Sequence, residues 1–249
     1  MNKFKFQNCA ALLYRARKSG FKLHEIPSPL RPNSLEEAYL IQEQLATLLD
    51  GRKIGVKLAN TNATSQQFLN LFEPFYGPLL ESSRVGVIGT KTKPAPIRVT
   101  DLNLRLCEPE FAFLIGENNN IIAAAPAIEI VHTCFLNWKA VGAPSLISDL
   151  ACNGAWVRGI EVPISQVKLD SCNLIVNRKQ FSRGSISRVL NEKNRSPLLF
   201  EIRPEWGVKP GDWITTGVCV DPPYHYCEEG DVIVAEFSEG LGEVAIECI

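Results

Sequence analysis

The chain has 249 residues, of which 45% are apolar and 21% are charged. This composition is ordinary for a globular protein and excludes a disordered tail, a coiled coil and a collagen-like fibre. Lys plus Arg (26) and Asp plus Glu (27) nearly cancel, giving a net charge of -1. The overall charge therefore gives no sign of binding to nucleic acid or to an anionic membrane.

The N-terminal sequence and the spacing of the cysteines argue against several classes of protein. The N-terminus has no apolar core followed by a small-residue cleavage site, and the most apolar stretch, Ile121 to Val131, is too short to span a bilayer. The eight cysteines form no Cys-x-x-Cys pair, which argues against zinc ribbons and thioredoxin-like motifs. We therefore expect a soluble, cytoplasmic protein with reduced thiols and with no nucleic-acid or membrane partner.

Helical patterns dominate the first part of the chain. The spacing of apolar residues predicts a helix from about Asn8 to Lys18. Ser34-Leu-Glu-Glu37 has the pattern of a capping box and predicts the start of a second helix, which ends near Asp50-Gly51. A third, short helix is predicted over Thr64–Phe72.

After Gly77 the pattern changes to short runs of Val, Ile and Phe separated by turn residues. The chain therefore divides into an N-terminal helical region, residues 1–80, and a strand-rich core, residues 81–249, which together form one structural unit. The predicted strands are Val85–Ile88, Glu110–Ile115, Ala127–Val131, Trp156–Arg158, Asn173–Val176, Trp213–Thr216, Val232–Phe237 and Glu243–Ile246.

Two glutamates stand at the start of the most informative strand. Glu108 and Glu110 are two residues apart, so both side chains lie on one face of a strand. The apolar run after them, Phe111 to Ile115, points to burial, and two buried carboxylates repel each other. A hard dication such as Mg²⁺ or Mn²⁺ removes that cost. The alternative, which the spacing alone slightly favours, is an exposed edge strand with two solvated glutamates.

A third acid and a cation extend this pattern. Glu129 lies in an otherwise apolar stretch, where it needs a cationic partner, a proton or a metal. With Glu108 and Glu110 it would surround a dication and leave positions for a chelating, anionic substrate. Lys57 is a candidate cation for that substrate, the alternative being an ordinary surface lysine. His132, three residues after Glu129, is interpreted as a structural histidine rather than a metal ligand.

Segments spread over nearly the whole chain match one family pattern in order and spacing. They are Ala38-Tyr-Leu-Ile-Gln42, Lys57-Leu-Ala-Asn-Thr61, Glu73-Pro-Phe-Tyr-Gly77, Glu108-Pro-Glu-Phe-Ala-Phe-Leu-Ile-Gly116, Ala127-Ile-Glu-Ile-Val131, Gly211-Asp-Trp-Ile-Thr-Thr-Gly217 and Glu229-Gly-Asp-Val-Ile-Val-Ala-Glu-Phe237. Together they resemble the fumarylacetoacetate hydrolase superfamily, and within it the 2-keto-4-pentenoate hydratase / 4-oxalocrotonate decarboxylase branch. The resemblance implies an α+β fold, with a mixed β-roll core behind the N-terminal helical region.

The resemblance also implies a function. It implies a lyase, either a hydratase or a decarboxylase, that acts on a small 2-oxo or 2-hydroxydienoic acid through a metal-bound enolate, in aromatic catabolism. The metal, Mg²⁺ or Mn²⁺, would be held by Glu108, Glu110 and Glu129, with Lys57 as the catalytic proton donor or acceptor. Matching segments give four substrate-binding positions: Thr61, Asp149, Cys152 and Thr216. A homo-oligomer, or assembly with a homologous partner subunit, is implied as well.

The chain departs from the family pattern around the expected substrate wall. Phe75 stands where the family often has an acid, Leu150 and Cys152 replace polar residues of a family segment, and residues 191–195 look inserted. Cys152 is interpreted as a small buried residue rather than a hydrogen-bond donor or a reactive thiol. These departures leave two alternatives to the lyase: a non-catalytic binding or assembly subunit, and a C–C hydrolase or tautomerase of the same superfamily.

Overall fold

The computed structural model describes residues 3–82, 84–189, 202–238 and 240–249; the insertion expected at residues 191–195 lies outside them. Four α-helices occur in the described residues: Lys3–Ser19 (α1), Leu35–Leu49 (α2), Ala63–Leu69 (α3) and Gly142–Ser148 (α4). The strands of the described residues are Lys53–Ala59 (β1), Phe75–Leu80 (β2), Val85–Ile88 (β3), Ala95–Ile97 (β4), Leu106–Ile115 (β5), Ile121–Val131 (β6), Asn153–Arg158 (β7), Val162–Pro163 (β8), Ser171–Val176 (β9), Lys179–Ser185 (β10), Trp213–Thr215 (β11), His225–Tyr226 (β12), Val232–Phe237 (β13) and Glu243–Cys248 (β14).

The capping pattern before α2 is half confirmed. The backbone N–H of Glu37 donates to the Ser34 hydroxyl at 3.2 Å, as a helix cap requires. The Glu37 carboxylate, however, accepts from the backbone N–H of Asn33 at 2.8 Å instead of from that of Ser34. It also pairs with Lys5 at 2.7 Å, so the start of α2 is tied to α1.

The strands form two mixed sheets. The larger has nine strands in the order β2-β1-β11-β5-β6-β7-β3, with β12 on β5 and β8 on β6. The smaller has five in the order β10-β9-β13-β14-β4. Most neighbours are antiparallel, whereas β1–β11, β3–β7 and β4–β14 are parallel. This is the mixed β-roll core that the family resemblance implies.

The two faces of the larger sheet have different roles. On β5, Phe111 and Phe113 face the smaller sheet, and Ile128 of β6 joins them in a core that contains Leu174 of the smaller sheet. Because side chains alternate along a strand, residues at the even positions of β5 and the odd positions of β6 face the other side. That second face carries the candidate functional residues.

The helices pack over one end of the larger sheet. Leu13 of α1 and Ile41 of α2 share a buried cluster with Phe135 and with Leu106 and Val131 of the sheet. A buried glutamine makes the attachment polar as well as apolar, because the Gln42 amide donates to the carbonyls of Tyr76 and Ile147 at 3.0 and 2.8 Å. The helical cover is therefore fixed in place relative to the sheet.

Residues 1–80 are less purely helical than the sequence pattern suggests. They contain β1 and β2, which pair with each other and join the nine-stranded sheet through β11. The division of the chain at residue 80 stays a prediction, but both sides of it contribute to one sheet. Glycines and the short α3 between β1 and β2 obscure these strands in the sequence.

The remaining expectations concern thiols and membranes. All eight cysteines are free and buried. Among the described residues, no helix combines the length and the apolar content that crossing a membrane requires.

The parallel pairing of β1 with β11 yields a testable prediction. A Cβ on Gly55, which has φ +153°, would lie 2.0 Å from the Trp213 carbonyl oxygen, so Gly55→Ala should separate the strands. We expect it to lower the free energy of unfolding, measured by urea denaturation, by about 3 kcal/mol or more. Gly230→Ala is the control, because Gly230 also has positive φ but nothing within 4 Å; we expect about 1 to 2 kcal/mol. Equal losses in both variants would contradict this role of Gly55.

Candidate active site and metal centre

Four neighbouring strands bring the candidate functional side chains onto one face of the larger sheet. The parallel register of β1 and β11 aligns Lys57 with Thr215. The antiparallel register of β5 and β6 places Glu108 directly opposite Glu129. Glu110, two residues after Glu108, faces the same side. Residues from distant parts of the chain therefore converge because of strand pairing.

The three glutamates form a compact cluster. One carboxylate oxygen of each lies within 4.8 Å of the corresponding oxygens of the others. Glu110 and Glu129 are fully buried, whereas Glu108 is partly exposed. The strand that carries Glu108 and Glu110 lies between β11 and β6, so the alternative of an exposed edge strand does not apply.

Lys57 is part of this cluster and is not a surface lysine, because only 2% of it is exposed. Its Nζ lies 2.8 Å from Oε2 of Glu129 and donates to the Ala151 carbonyl at 3.0 Å. Burial lowers the pKa of Lys57, but the carboxylates of Glu129, Glu108 and Glu110 outweigh burial and raise it above its usual value. The side chain is therefore held as an ammonium ion.

One ammonium does not neutralise three carboxylates. Burial, reinforced by the Glu129 carboxylate, raises the pKa of Glu108 to about 7. The same two causes raise the pKa of Glu110 well above its usual value. Burial also raises the pKa of Glu129, although Lys57 opposes it. The cluster thus has a deficit of positive charge that either protons or a cation must make up.

Free oxygen atoms make the cluster a fitting cation site. Oε1 of the fully buried Glu110 has no hydrogen-bond partner, while its Oε2 accepts from the Thr215 hydroxyl. Asn153 donates to Oε1 of Glu129 at 3.2 Å and orients that carboxylate. A donor set made only of carboxylate oxygens suits a hard dication. Within the described part of the chain, no other group of three or more His, Cys, Asp or Glu side chains lies close enough to hold a metal.

A cavity of about 350 Å³ opens at this end of the sheet. Lys57, Glu108, Asn60 and Thr61 line its polar end. The Thr61 hydroxyl and the Oδ1 atom of Asn60 are buried without a hydrogen-bond partner. The rest of the lining is mainly apolar and aromatic.

The four predicted substrate-binding residues differ in their access to the cavity. Thr61 and Cys152 line it, and burial raises the pKa of the Cys152 thiol to about 12, which keeps it neutral. Thr216 is buried beside the cavity and its hydroxyl bonds to backbone groups of Phe111 and Gly217. Asp149 is also absent from the lining.

His132 has the surroundings of a structural histidine. Its Nδ1 accepts from the backbone N–H of Asn103 at 3.0 Å. Burial, reinforced by the nearby Arg17 cation, lowers the pKa of His132 to about 3, so the ring is neutral at physiological pH. It is not part of the carboxylate cluster.

A strained turn carries the partners of Lys57 and Glu129. Leu150, Ala151 and Cys152 all have left-handed backbone angles, with φ of 56°, 51° and 64°. Non-glycine residues in this region cost of order 1–3 kcal/mol each and persist only where neighbours hold them. The turn positions the Ala151 carbonyl on Lys57 and leads directly into Asn153, which bonds to Glu129.

The guanidinium of Arg17, on α1, holds this turn in place. It donates to Oδ1 of Asp149 at 2.5 Å and to the carbonyls of Asp149 and Asn153 at 2.7 and 3.0 Å. The other oxygen of Asp149 accepts from the Thr133 hydroxyl and from the backbone N–H of Cys134. The contacts of Asp149 are thus structural: it anchors the turn.

Sequence reasoning missed three residues of this site. Thr215 bonds to Glu110, Asn153 bonds to Glu129, and Arg17 holds the turn. Strand alternation offered a signal for the first, since Thr215 and Thr216 must face opposite sides of the sheet. No local pattern indicates that Arg17 reaches a turn more than 130 residues away.

Curated proteins similar to this chain are hydratases. The TodF product hydratase of Pseudomonas putida (strain F1) is 29% identical over 168 residues, which cover 61% of this chain and 60% of that protein. The 2-keto-4-pentenoate hydratase 1 of Dechloromonas aromatica (strain RCB) is 26% identical over 254 residues, covering 95% and 94%. The chain spans only about 60% of the length of the first of these relatives. No protein-family model matches the chain.

Solved structures share the fold. The 4-oxalocrotonate decarboxylase from Pseudomonas putida G7, complexed with magnesium and adipate, has a TM-score of 0.86 at 17% identity, covering 100% of this chain and 99% of that one. A fumarylacetoacetate hydrolase family protein from Yersinia pestis CO92 has a TM-score of 0.56 at 16% identity, covering 80% and 95%. The predicted resemblance is therefore confirmed, and the chain has the fold of the fumarylacetoacetate hydrolase superfamily.

The contacts of Arg17 lead to a prediction about stability. Arg17→Met leaves the Asp149 carboxylate, which is fully buried, without its cation. We expect the free energy of unfolding, measured by urea denaturation, to fall by about 3–5 kcal/mol. Arg52→Met is the matched control, because the pair of Arg52 with Glu81 is exposed and should contribute little. Similar stabilities of the two variants would contradict the anchoring role of Arg17.

Proposed function

We propose that the protein is a divalent-metal-dependent lyase that hydrates or decarboxylates a small 2-oxo or 2-hydroxydienoic acid. The observation that carries this proposal is the cluster of Glu108, Glu110 and Glu129 beside the Lys57 ammonium, of which Lys57 and Glu108 line a cavity. The names of the similar proteins, two hydratases and a decarboxylase, support the same reaction class.

The three glutamates are the proposed ligands of Mg²⁺ or Mn²⁺. The unpartnered oxygen of Glu110 and the raised pKa values of the cluster support this assignment, since a dication satisfies both. The 4-oxalocrotonate decarboxylase of the same fold is itself complexed with magnesium. When bound, the dication supplies a Lewis acid that stabilises negative charge on the substrate oxygens.

Lys57 is the proposed catalytic residue. Glu129 and the Ala151 carbonyl hold its ammonium in place, and an ammonium has three N–H donors, so one remains for the substrate. A fixed, buried cation next to the substrate stabilises negative charge as it develops, without having to reorganise. The same group can donate a proton to the electron-rich carbon chain.

The other residues of the proposed site either contact the substrate or hold its surroundings in place. The Thr61 hydroxyl, which has no partner, is suited to donate to the substrate carboxylate. Cys152 forms part of the cavity wall beside Lys57, and its thiol is neutral. For Asp149 and Thr216 we propose indirect roles, because the first anchors the strained turn and the second caps backbone groups of β5.

The proposal includes three features beyond the reaction itself. They are a homo-oligomeric state, with or without a homologous partner subunit, a cytoplasmic location and a role in aromatic catabolism. Large exposed apolar side chains on α1 and just after it, such as Phe4 and Phe21, offer contact area for a second copy. Analytical ultracentrifugation measures the oligomeric state directly, and a strict monomer would contradict that part.

Metal binding is tested by titrating Mn²⁺ into the protein and recording the heat. We expect one site in the wild type and at least a tenfold loss of affinity in Glu110→Gln, which keeps the shape of the side chain but removes its charge. Glu117→Gln is the matched control, since Glu117 is exposed and outside the cluster. Equal affinities of wild type and Glu110→Gln would contradict the ligand assignment.

Catalysis is tested by following the ultraviolet dienol band of 2-hydroxypenta-2,4-dienoate or of a longer homologue. We expect metal-dependent loss of the band, abolished by a chelator, and a decrease of kcat of about 10²- to 10⁴-fold in Lys57→Met. Lys168→Met, which removes an exposed lysine, should keep full activity. If Lys57→Met binds Mn²⁺ and retains wild-type kcat, Lys57 has no catalytic role.

A further inference from the structure

The cavity has a second region whose chemistry differs from that of its polar end. Beyond Lys57, Thr61 and Glu108, the lining becomes mainly apolar. Six side chains dominate this region: Phe68, Phe75, Leu104, Leu106, Trp138 and Leu146. We refer to these six residues as the apolar wall. Phe75 contributes a buried aromatic ring to this wall.

Positive charge is scarce along this region. In the described lining, Lys139 is the one cation besides Lys57. It is exposed, and its Nζ lies 5.7 Å from the centre of the Trp138 ring, where the aromatic face already stabilises it. The apolar wall therefore has no buried cation to compensate a second carboxylate on a ligand.

The mouth of the cavity leaves aromatic surface uncovered. Phe68 is 48% exposed, and its ring lies 5.5 Å from that of Trp138. It is carried by α3, which has no fully buried residue and packs against the core through the partly buried Leu69. A ligand tail that reaches this pair would remove apolar surface from water and hold α3 against the cavity.

From these observations we infer that the site takes 2-oxo monocarboxylates with an apolar tail longer than that of a five-carbon acid. The 2-oxo acid head occupies the polar end, and the tail packs along the apolar wall between Phe75 and the Phe68–Trp138 pair. This inference rests on the proposed function, which supplies the 2-oxo acid head. It extends that function by assigning the substrate class.

The apolar wall also favours one of the two proposed reactions, hydration and decarboxylation, over the other. When the electron pair of a broken C–CO₂ bond passes to the 2-oxo oxygen, the carboxylate that is lost is a second one, on a saturated carbon that is adjacent to the oxo group or joined to it through a C=C bond. Such a substrate is a diacid, and the apolar wall offers its far carboxylate no buried cation. Hydration needs only the head carboxylate and a double bond in the tail. The cavity thus favours the hydratase.

Binding of unreactive, saturated 2-oxo acids tests this substrate class independently of turnover. Pyruvate, 2-oxobutanoate, 2-oxopentanoate and 2-oxohexanoate are titrated into the full chain loaded with Mn²⁺, and the heat is recorded. We expect the affinity to rise roughly fourfold for each added methylene group that is buried. The diacid 2-oxoadipate, which has the same chain length as 2-oxohexanoate, should bind more weakly than it.

A matched pair of variants locates the tail. Phe68→Ala should weaken the binding of 2-oxohexanoate while leaving that of pyruvate unchanged, because only the longer acid reaches this ring. Phe72→Ala is the control, since Phe72 is 71% exposed, lies just after α3 and does not line the cavity. Both residues are largely on the surface, so neither variant should compromise folding.

The results of these titrations distinguish a failure of the apolar substrate class from a failure of the proposed function. If Mn²⁺-dependent binding of pyruvate is observed but affinity does not rise with tail length, the apolar substrate class is wrong and the proposed function stands. Tighter binding of 2-oxoadipate than of 2-oxohexanoate also overturns it, and assigns the cavity to diacids. If no 2-oxo acid binds to the Mn²⁺-loaded protein, the proposed function fails as well.

Discussion

The structure is organised around an electrostatic problem: three carboxylates share a buried face with a single ammonium. Glu108 and Glu129 lie opposite each other on paired strands, Glu110 is adjacent, and only Lys57 compensates them. Burying uncompensated charge is costly, so such an arrangement persists when the site has a partner for it. The partner proposed here is a dication, which supplies the missing charge and uses the free oxygen of Glu110.

Much of the surrounding fold can be understood as support for that cluster. The parallel pairing of β1 with β11 brings Lys57 and Thr215 next to the acids of β5. The left-handed turn at residues 150–152 provides the carbonyl that holds Lys57, and Arg17 of α1 holds the turn. The N-terminal helical region therefore helps to position the residues of the site and is not only a cover over the sheet.

In this arrangement, the charged groups are distinct from the apolar residues that are proposed to select the substrate. The charged groups are largely buried, which strengthens the electrostatic interactions among them. The apolar wall consists of other residues, none of which is a proposed metal ligand. Phe75 belongs to this wall, whereas Glu108, Glu110 and Glu129 form a compact cluster of their own.

Local patterns in the sequence predict part of this arrangement. The two-residue spacing of Glu108 and Glu110 indicates a shared face, and the apolar context of Glu129 indicates that it needs a partner; the structure has both features. Strand pairing between distant segments has no local signature, which is why β1 and β2 were not predicted. For the same reason the family resemblance could assign Asp149 to substrate binding without showing that its carboxylate pairs with Arg17, 132 residues earlier in the chain.

Anomalous diffraction at the manganese edge, from crystals of the full chain grown with Mn²⁺, tests whether the three glutamates hold a dication. We expect one strong peak in contact with carboxylate oxygens of Glu108, Glu110 and Glu129 together. Ordered density for these three side chains with no peak between them, at a Mn²⁺ concentration that occupies other sites, would contradict it.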